Sequence, residues 1–133
     1  MVYPVTSGIL RLMNKYQLII KQFTKDRNWG QFHNPKDLLL GIVEEIGELR
    51  NIVKWEQDPE KLKKALIDNK DEIEDNIGDI LWFLSLLANS SKVDIDKAFR
   101  RVIKDNKKRF PIKDVKDRHT NRYLGGKDRK YNI

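Results

Sequence analysis

Cysteine is absent from all 133 residues, which excludes a disulfide framework and makes a reducing cytoplasm the expected compartment. Histidine is almost as scarce. His33 and His119 are the whole supply and, without thiolates, do not suggest a zinc site. Long apolar runs are missing too: the longest, residues 38–43 and 80–88, fall well short of the roughly 20 residues needed to cross a bilayer. A soluble chain without membrane contact is expected. The opening MVYPVTSGILRLMNKYQ lacks a basic segment leading into an apolar one and does not read as a secretory signal. Alternation of period two, hairpin turn chemistry and repeats at solenoid spacing are all lacking, so the sequence predicts an all-α protein of one domain.

Charge of one sign is unevenly spread. Residues 1–91 hold 12 basic and 14 acidic side chains, net −2, whereas residues 92–133 hold 15 and 6, net +9. A basic last third can serve nucleic acid, a small anionic ligand or plain solubility. No recognisable nucleic-acid module accompanies it. A small phosphate-bearing ligand is therefore the preferred partner and nucleic acid the unfavoured one.

Four long helices are predicted. Residues 6–24 carry Ile9, Leu10, Met13, Tyr16, Leu18, Ile19, Ile20 and Phe23 at helical spacing behind Thr6 or Ser7 as cap. Gly30 and Pro35 then interrupt the period in KDRNWGQFHNPKD, an aromatic and polar loop of the kind that carries function. Asn34-Pro35 opens a second helix reaching about Trp55, before Asp58 and Pro59 stop it. A short connector helix over residues 60–69 follows, with Leu62, Leu66 and Ile67 inward. A third long helix spans about residues 70–89, broad in its apolar face after Asp79 and hence central. The fourth runs from an Asp94 cap to about Arg109, with Ile95, Ala98, Phe99, Val102 and Ile103 inside. Residues 112–133 show little periodicity, a Gly125-Gly126 pair and seven basic residues, and read as an extended basic tail.

Carboxylates sit where that rhythm asks for apolar side chains. Glu45 and Glu48 in GIVEEIGEL project about 60° apart on one helix face, while Glu72, Asp75, Asn76 and Asp79 share a stripe within about 100° on another. Two such clusters facing a core read as a site for Mg²⁺ or Mn²⁺, hard ions that favour oxygen ligands and share them with phosphates. A solvated acidic face, supported by lysines one turn away, is the alternative. Phe83 follows Asp79 by one turn and Trp55 follows Glu48 by two. Large aromatics in line with the acids favour the metal site, and Trp29, Phe32, Trp55 and Phe83 are candidates to stack on a base, each with a core role as its alternative.

The ordered set Phe23-Thr-Lys-Asp-Arg27-Asn-Trp29-Gly-Gln31-Phe32-His33-Asn-Pro35, Leu38-Leu39-Leu40, Glu45-Ile-Gly47-Glu48-Leu49, Trp55, Gly78-Asp79-Ile-Leu-Trp-Phe83 and Asn106-Lys-Lys-Arg109-Phe110-Pro111 resembles the all-α nucleotide pyrophosphohydrolases of the MazG-like superfamily, nearest the dCTP pyrophosphatase branch. The resemblance covers about residues 8–111. It implies a four-helix bundle with a short extra helix in the central connection, a pyrophosphohydrolase domain over residues 1–111 and a basic tail over 112–133. The implied reaction is hydrolysis of a nucleoside triphosphate between its α and β phosphorus atoms, a house-cleaning activity of homodimers or homotetramers. Mg²⁺ held by Glu45, Glu48 and Asp79 would neutralise phosphate charge and acidify the attacking water, with Glu45 or Glu48 taking the proton. By the same resemblance Trp29, His33 and Trp55 surround the base, with Phe83 at a neighbouring substrate position, and Asn106 on the basic fourth helix matches the phosphate motif, where the cations Lys104 and Arg109 are the candidate clamps.

The chain departs from the family pattern at three positions. Asn76 stands where the pattern has Glu three residues before the aspartate, so the metal set is one charge short unless Asp75 or Glu72 turns in. Phe83 lacks the hydroxyl of a frequent Tyr, and Asp105 replaces a frequent base. A catalytically weakened nucleotide-binding protein, a basic nucleic-acid-binding module built on the +9 segment and a helical protein that oligomerises through residues 80–88 are the alternatives.

Overall fold

The computed structural model describes residues 14–116. Every regular element among them is helical: α1 Lys15–Asp26, a 3-10 turn Trp29–Phe32, α2 Pro35–Val53, α3 Pro59–Asp68, α4 Lys70–Ser90, α5 Ile95–Arg109 and α6 Ile112–Val115. The chain divides into two compact units, Met1–Ile95 and Asp96–Ile133.

Local chemistry explains the boundaries. Asn34 accepts the Asp37 N–H at 2.9 Å and Pro35 takes the first helical position, where its missing N–H has no partner to lose. Asp58 and Pro59 repeat the device at α3, with the Lys61 N–H at 2.9 Å from the Asp58 carboxylate. Before it, the Glu56 carboxylate accepts the N–H groups of Gln57 and Asp58 at 3.1 and 3.0 Å, and α2 has already ended at Val53. The first helix is a correction. Asn14 is extended and its side chain accepts the Tyr16 N–H at 2.8 Å, so α1 starts at Lys15 and not as part of one helix over residues 6–24. Thr6, Ser7, Ile9, Leu10 and Met13 lie outside the described residues, as do Arg118, His119, the Gly125-Gly126 pair and all of residues 117–133.

Within the first unit α4 packs against α2, α1 and α3, the central place its broad apolar face implies. Three helices meet in a buried apolar cluster, Ile20 from α1, Leu38 from α2 and Leu86 from α4, with Trp82, Phe83 and Leu87 packed around them. α2 and α4 approach closely at Gly41. A Cβ there would lie 2.6 Å from the Phe83 ring, so the helix backbone itself forms the seat for that ring. Gly41→Ala is expected to cost about 1–3 kcal/mol through overpacking, read as a lowered denaturant midpoint. Phe83→Leu in the same chain should recover part of it. An unchanged midpoint for Gly41→Ala would show that the ring is not seated there.

A polar clasp ties the beginning of this unit to its end. Gln17 is fully buried, and its Nε2 donates to Asn89 Oδ1 at 3.1 Å and to the Val93 carbonyl at 2.8 Å. Its Oε1 accepts the Ile95 N–H at 2.9 Å, and Asn89 Nδ2 returns a hydrogen bond to the Gln17 carbonyl at 3.1 Å. All the amide's polar atoms are used, which is what burial of such a group requires.

The second unit, described from Asp96 to Lys116, holds most of α5 and the single turn α6. Of the stripe expected inside the protein, Ile95 and Ala98 are half-buried, while Phe99 is exposed by 61%, Val102 by 49% and Ile103 by 38%. Periodicity reports that a face wants apolar contact and does not say which surface supplies it. Arg100, Lys104, Lys107 and Lys108 share a surface hollow of about 680 Å³ with Phe99 and Ile103, and Asp96 tethers Arg100 at 2.8 Å. No helix among the described residues is long and apolar enough to cross a membrane.

Candidate functional site

The α2–α4 contact brings three of the expected site residues together. Glu45 and Glu48 lie three residues apart on α2, and Asn76 reaches them from α4, its Nδ2 donating to Glu45 Oε2 at 3.0 Å and to Glu48 Oε2 at 2.9 Å. Burial falls off outward: Asn76 is 3% exposed, Glu45 half-buried and Glu48 exposed. The cluster therefore has a sealed inner end and an open outer one.

Both partners of the amide nitrogen are carboxylates, which only accept, so the orientation of the Asn76 side chain follows from its neighbours. The consequence falls on the other atom. Asn76 Oδ1 is buried with no hydrogen-bond partner, a state that costs about 1–3 kcal/mol. Ser85 Oγ, also on α4, is the other buried side-chain atom among the described residues that lacks one.

Asp75 and Asp79 are exposed on α4, Asp79 lying three residues beyond Asn76. Among the described residues no three His, Asp or Glu side chains are grouped so as to hold an ion, so Glu45 and Glu48 meet an amide where a third carboxylate would complete such a group. The donors nonetheless fit a hard divalent ion. Two carboxylates that converge on one nitrogen can converge on one cation, and a half-turn of the Asn76 amide exchanges its nitrogen and oxygen without changing its shape. Glu45, Glu48 and the otherwise unused Oδ1 of Asn76 are thus the groups able to hold it.

The aromatic candidates separate. Trp29 stands on the 3-10 turn with its ring edge-on to Phe23 at 5.6 Å, and Phe23 in turn meets Trp82 at 5.2 Å. The Arg27 guanidinium lies 3.5 Å from the Phe23 ring centre. This chain of rings fixes the start of the loop against α4. His33 is half-buried just after the turn, its N–H on the Gly30 carbonyl at 3.3 Å. Trp55 is 85% exposed beyond the end of α2, with the Lys54 ammonium 5.0 Å from its ring. Phe83 is half-buried on Gly41 and belongs to the helix contact. Phe23 and Arg27, not among the expected site residues, are the ones that hold the Trp29 ring, and their spacing from Trp29 places all three within about two turns.

Lys104, Asn106 and Arg109 are exposed on α5, Lys104 in the basic hollow and the Arg109 guanidinium 5.2 Å from the Phe110 ring. They belong to the second unit, Glu45, Glu48 and Asn76 to the first.

Residues 33–113 match the model of the MazG nucleotide pyrophosphohydrolase domain. The chain belongs to that family. The matched stretch contains α2 to α5 and with them the Glu45, Glu48 and Asn76 cluster. A dCTP pyrophosphatase 1 from Bos taurus is 34% identical over 92 residues, covering 68% of this chain and 54% of the bovine protein. Its Homo sapiens counterpart is 32% identical over 91 residues with the same coverage. The chain therefore spans about half the length of these curated relatives. An uncharacterised Bacillus subtilis (strain 168) protein, YpjD, is 38% identical over 104 residues and is covered over 87% of its length. Among solved structures, a pyrophosphatase from Archaeoglobus fulgidus DSM 4304 superposes with a TM-score of 0.66 at 25% identity, covering 84% of this chain and 99% of that one. The MazG fold expected from the sequence, all-α with a short helix inserted between the two that carry the cluster, is the fold observed.

Proposed function

We propose that this MazG-family chain is a Mg²⁺-dependent nucleoside triphosphate pyrophosphohydrolase, Mn²⁺ being able to replace Mg²⁺, that releases pyrophosphate by cleaving the α–β phosphoanhydride bond. The observation that carries the reading is the convergence of Glu45 and Glu48 on one point against α4, in a chain of this family. Glu45, Glu48 and Asn76 would hold the ion, with Asp79 and Asp75 adding charge at the open end. A divalent ion there would supply charge neutralisation for the phosphates and Lewis acidity toward water.

The chain's own groups do the rest. Glu48, exposed at the mouth, or Glu45 behind it accepts the proton of the attacking water. Lys104, Asn106 and Arg109 on α5 bind phosphate oxygens, the arginine in bidentate fashion. Trp29, His33 and Trp55 surround the base, with Phe83 shaping the floor through Gly41. The names of the bovine and human relatives favour dCTP as the first substrate to try.

The assembly is a homodimer or homotetramer in the cytoplasm, with residues 1–111 as the catalytic domain. Exposed Leu39, Val43 and Ile46 form one stripe on α2, and Phe99, Val102 and Ile103 another on α5, surfaces suited to a second copy. The neutral amide at position 76 favours one second reading, a nucleotide-binding protein with weakened turnover.

The test is pyrophosphate release from the eight common ribo- and deoxyribonucleoside triphosphates, with Mg²⁺, with Mn²⁺ and with chelator. Metal-dependent release identifies the enzyme, and the fastest substrate names the base. Nucleotide binding without release would support the weakened reading. Neither binding nor release would sink both.

A further inference from the structure

We propose that in the ion-free protein the Asn76 amide nitrogen stands in for the divalent cation, and that the amide must turn over for the ion to enter. The inference rests on the metal-dependent reading above and concerns what this chain does differently within it. Two like-charged carboxylates, Glu45 and Glu48, are drawn to one point, and the group at that point is an NH₂ donating to both, at 3.0 and 2.9 Å. The amide's positive end thus does electrostatically what a cation would do, separating two negative charges while binding each. A glutamate at position 76 could not act this way, since it has no proton to donate when ionised.

The arrangement is satisfied on one side only. Asn76 Oδ1 points into a buried region where it finds no donor, and the residue is 3% exposed. The reverse orientation in the absence of an ion would aim that oxygen at two carboxylates. With an ion present the preference inverts: the cation repels the NH₂ and attracts the oxygen, and the exchange is isosteric. Ion and amide nitrogen therefore compete for one place. Entry of the ion breaks two hydrogen bonds, which weakens its affinity relative to a site with an acidic residue at 76, and in return the ion-free protein stays folded with its carboxylates held together.

Amide NMR of the full chain reads this directly, with the side-chain N–H pair of Asn76 assigned in the wild type through its own carbon resonances. In chelator the pair should exchange slowly with water. Titration with Mg²⁺ alone, followed in parallel by thermal melting, should shift the pair as its hydrogen bonds to Glu45 and Glu48 are released and the amide turns over. Asn76→Asp removes both donors and adds a third carboxylate. It should melt several degrees below wild type in chelator, gain more from Mg²⁺, and reach half-saturation at about tenfold lower Mg²⁺.

A wild type that is stabilised by Mg²⁺ while its Asn76 signals stay unmoved would overturn the inference and leave the pyrophosphohydrolase reading standing. So would an Asn76→Asp protein as stable in chelator as wild type. Absence of any Mg²⁺ effect on melting, together with no pyrophosphate release, would remove both. Should the variant not fold, the shift titration on wild type decides alone.

Discussion

Glu48→Ala is expected to lower metal-dependent pyrophosphate release by about 10²–10⁴-fold, the range that loss of a positioned acid–base group produces. The residue is exposed, so its removal opens no cavity in the core. The damage to stability should be confined to Asn76 Nδ2, which keeps Glu45 Oε2 at 3.0 Å as its second acceptor, and should amount to about 1 kcal/mol. A folded protein with little turnover is therefore the predicted phenotype, measured by pairing the release assay with a denaturant melt. Glu45→Ala should match it in activity and exceed it in destabilisation, because Glu45 is half-buried. Turnover within a few-fold of wild type in both variants would remove the carboxylate pair from the chemistry altogether.

The largest effect on stability is expected far from that pair. Gln17→Leu preserves much of the side-chain volume but leaves the Asn89 carboxamide oxygen, the Val93 carbonyl and the Ile95 N–H without their partner in a partly buried setting. Unsatisfied groups of this kind cost about 1–3 kcal/mol each, and with partial relaxation toward water the expected total is about 3–5 kcal/mol. Urea unfolding monitored by circular dichroism measures it. A loss below about 1 kcal/mol would mean that the three groups find water easily and that the clasp is ornamental.

Most of the fold could be read from the sequence because its helices announce themselves chemically. Asn34-Pro35 combines a side-chain cap with a residue suited to the first helical turn, and α2 begins there; Asp58-Pro59, read as the stop of the helix before it, is by the same chemistry the start of α3. The start of α1 was misjudged for the same reason in reverse. The apolar rhythm runs on past position 14, but the Asn14 side chain bonds the Tyr16 N–H, and a cap outweighs periodicity where the two compete. The carboxylate pair was legible from its spacing of three on α2. Its partner was legible only as an anomaly: that Asn76 would present its nitrogen to both acids, leaving its oxygen unmatched, depends on the register between α2 and α4, which neither helix encodes alone. Phe83 illustrates the same limit. The sequence left it between stacking on a base and a core role, and only the missing Cβ at Gly41 shows the seat its ring takes in the helix contact. A glycine in an apolar helix run is the signal that pointed there.

The Gln17 clasp also bears on time. Its hydrogen bonds join residues separated by 72, 76 and 78 positions, so they can form only after nearly the whole first unit has been gathered. Helices and the α2–α3–α4 turns need no such closure and come earlier. Interactions made after the rate-limiting step leave the folding rate nearly untouched and act on the rate of unfolding. A weakened clasp is therefore expected to speed unfolding more than it slows refolding, so that position 17 would act on the lifetime of the native state, read from the two arms of a chevron plot.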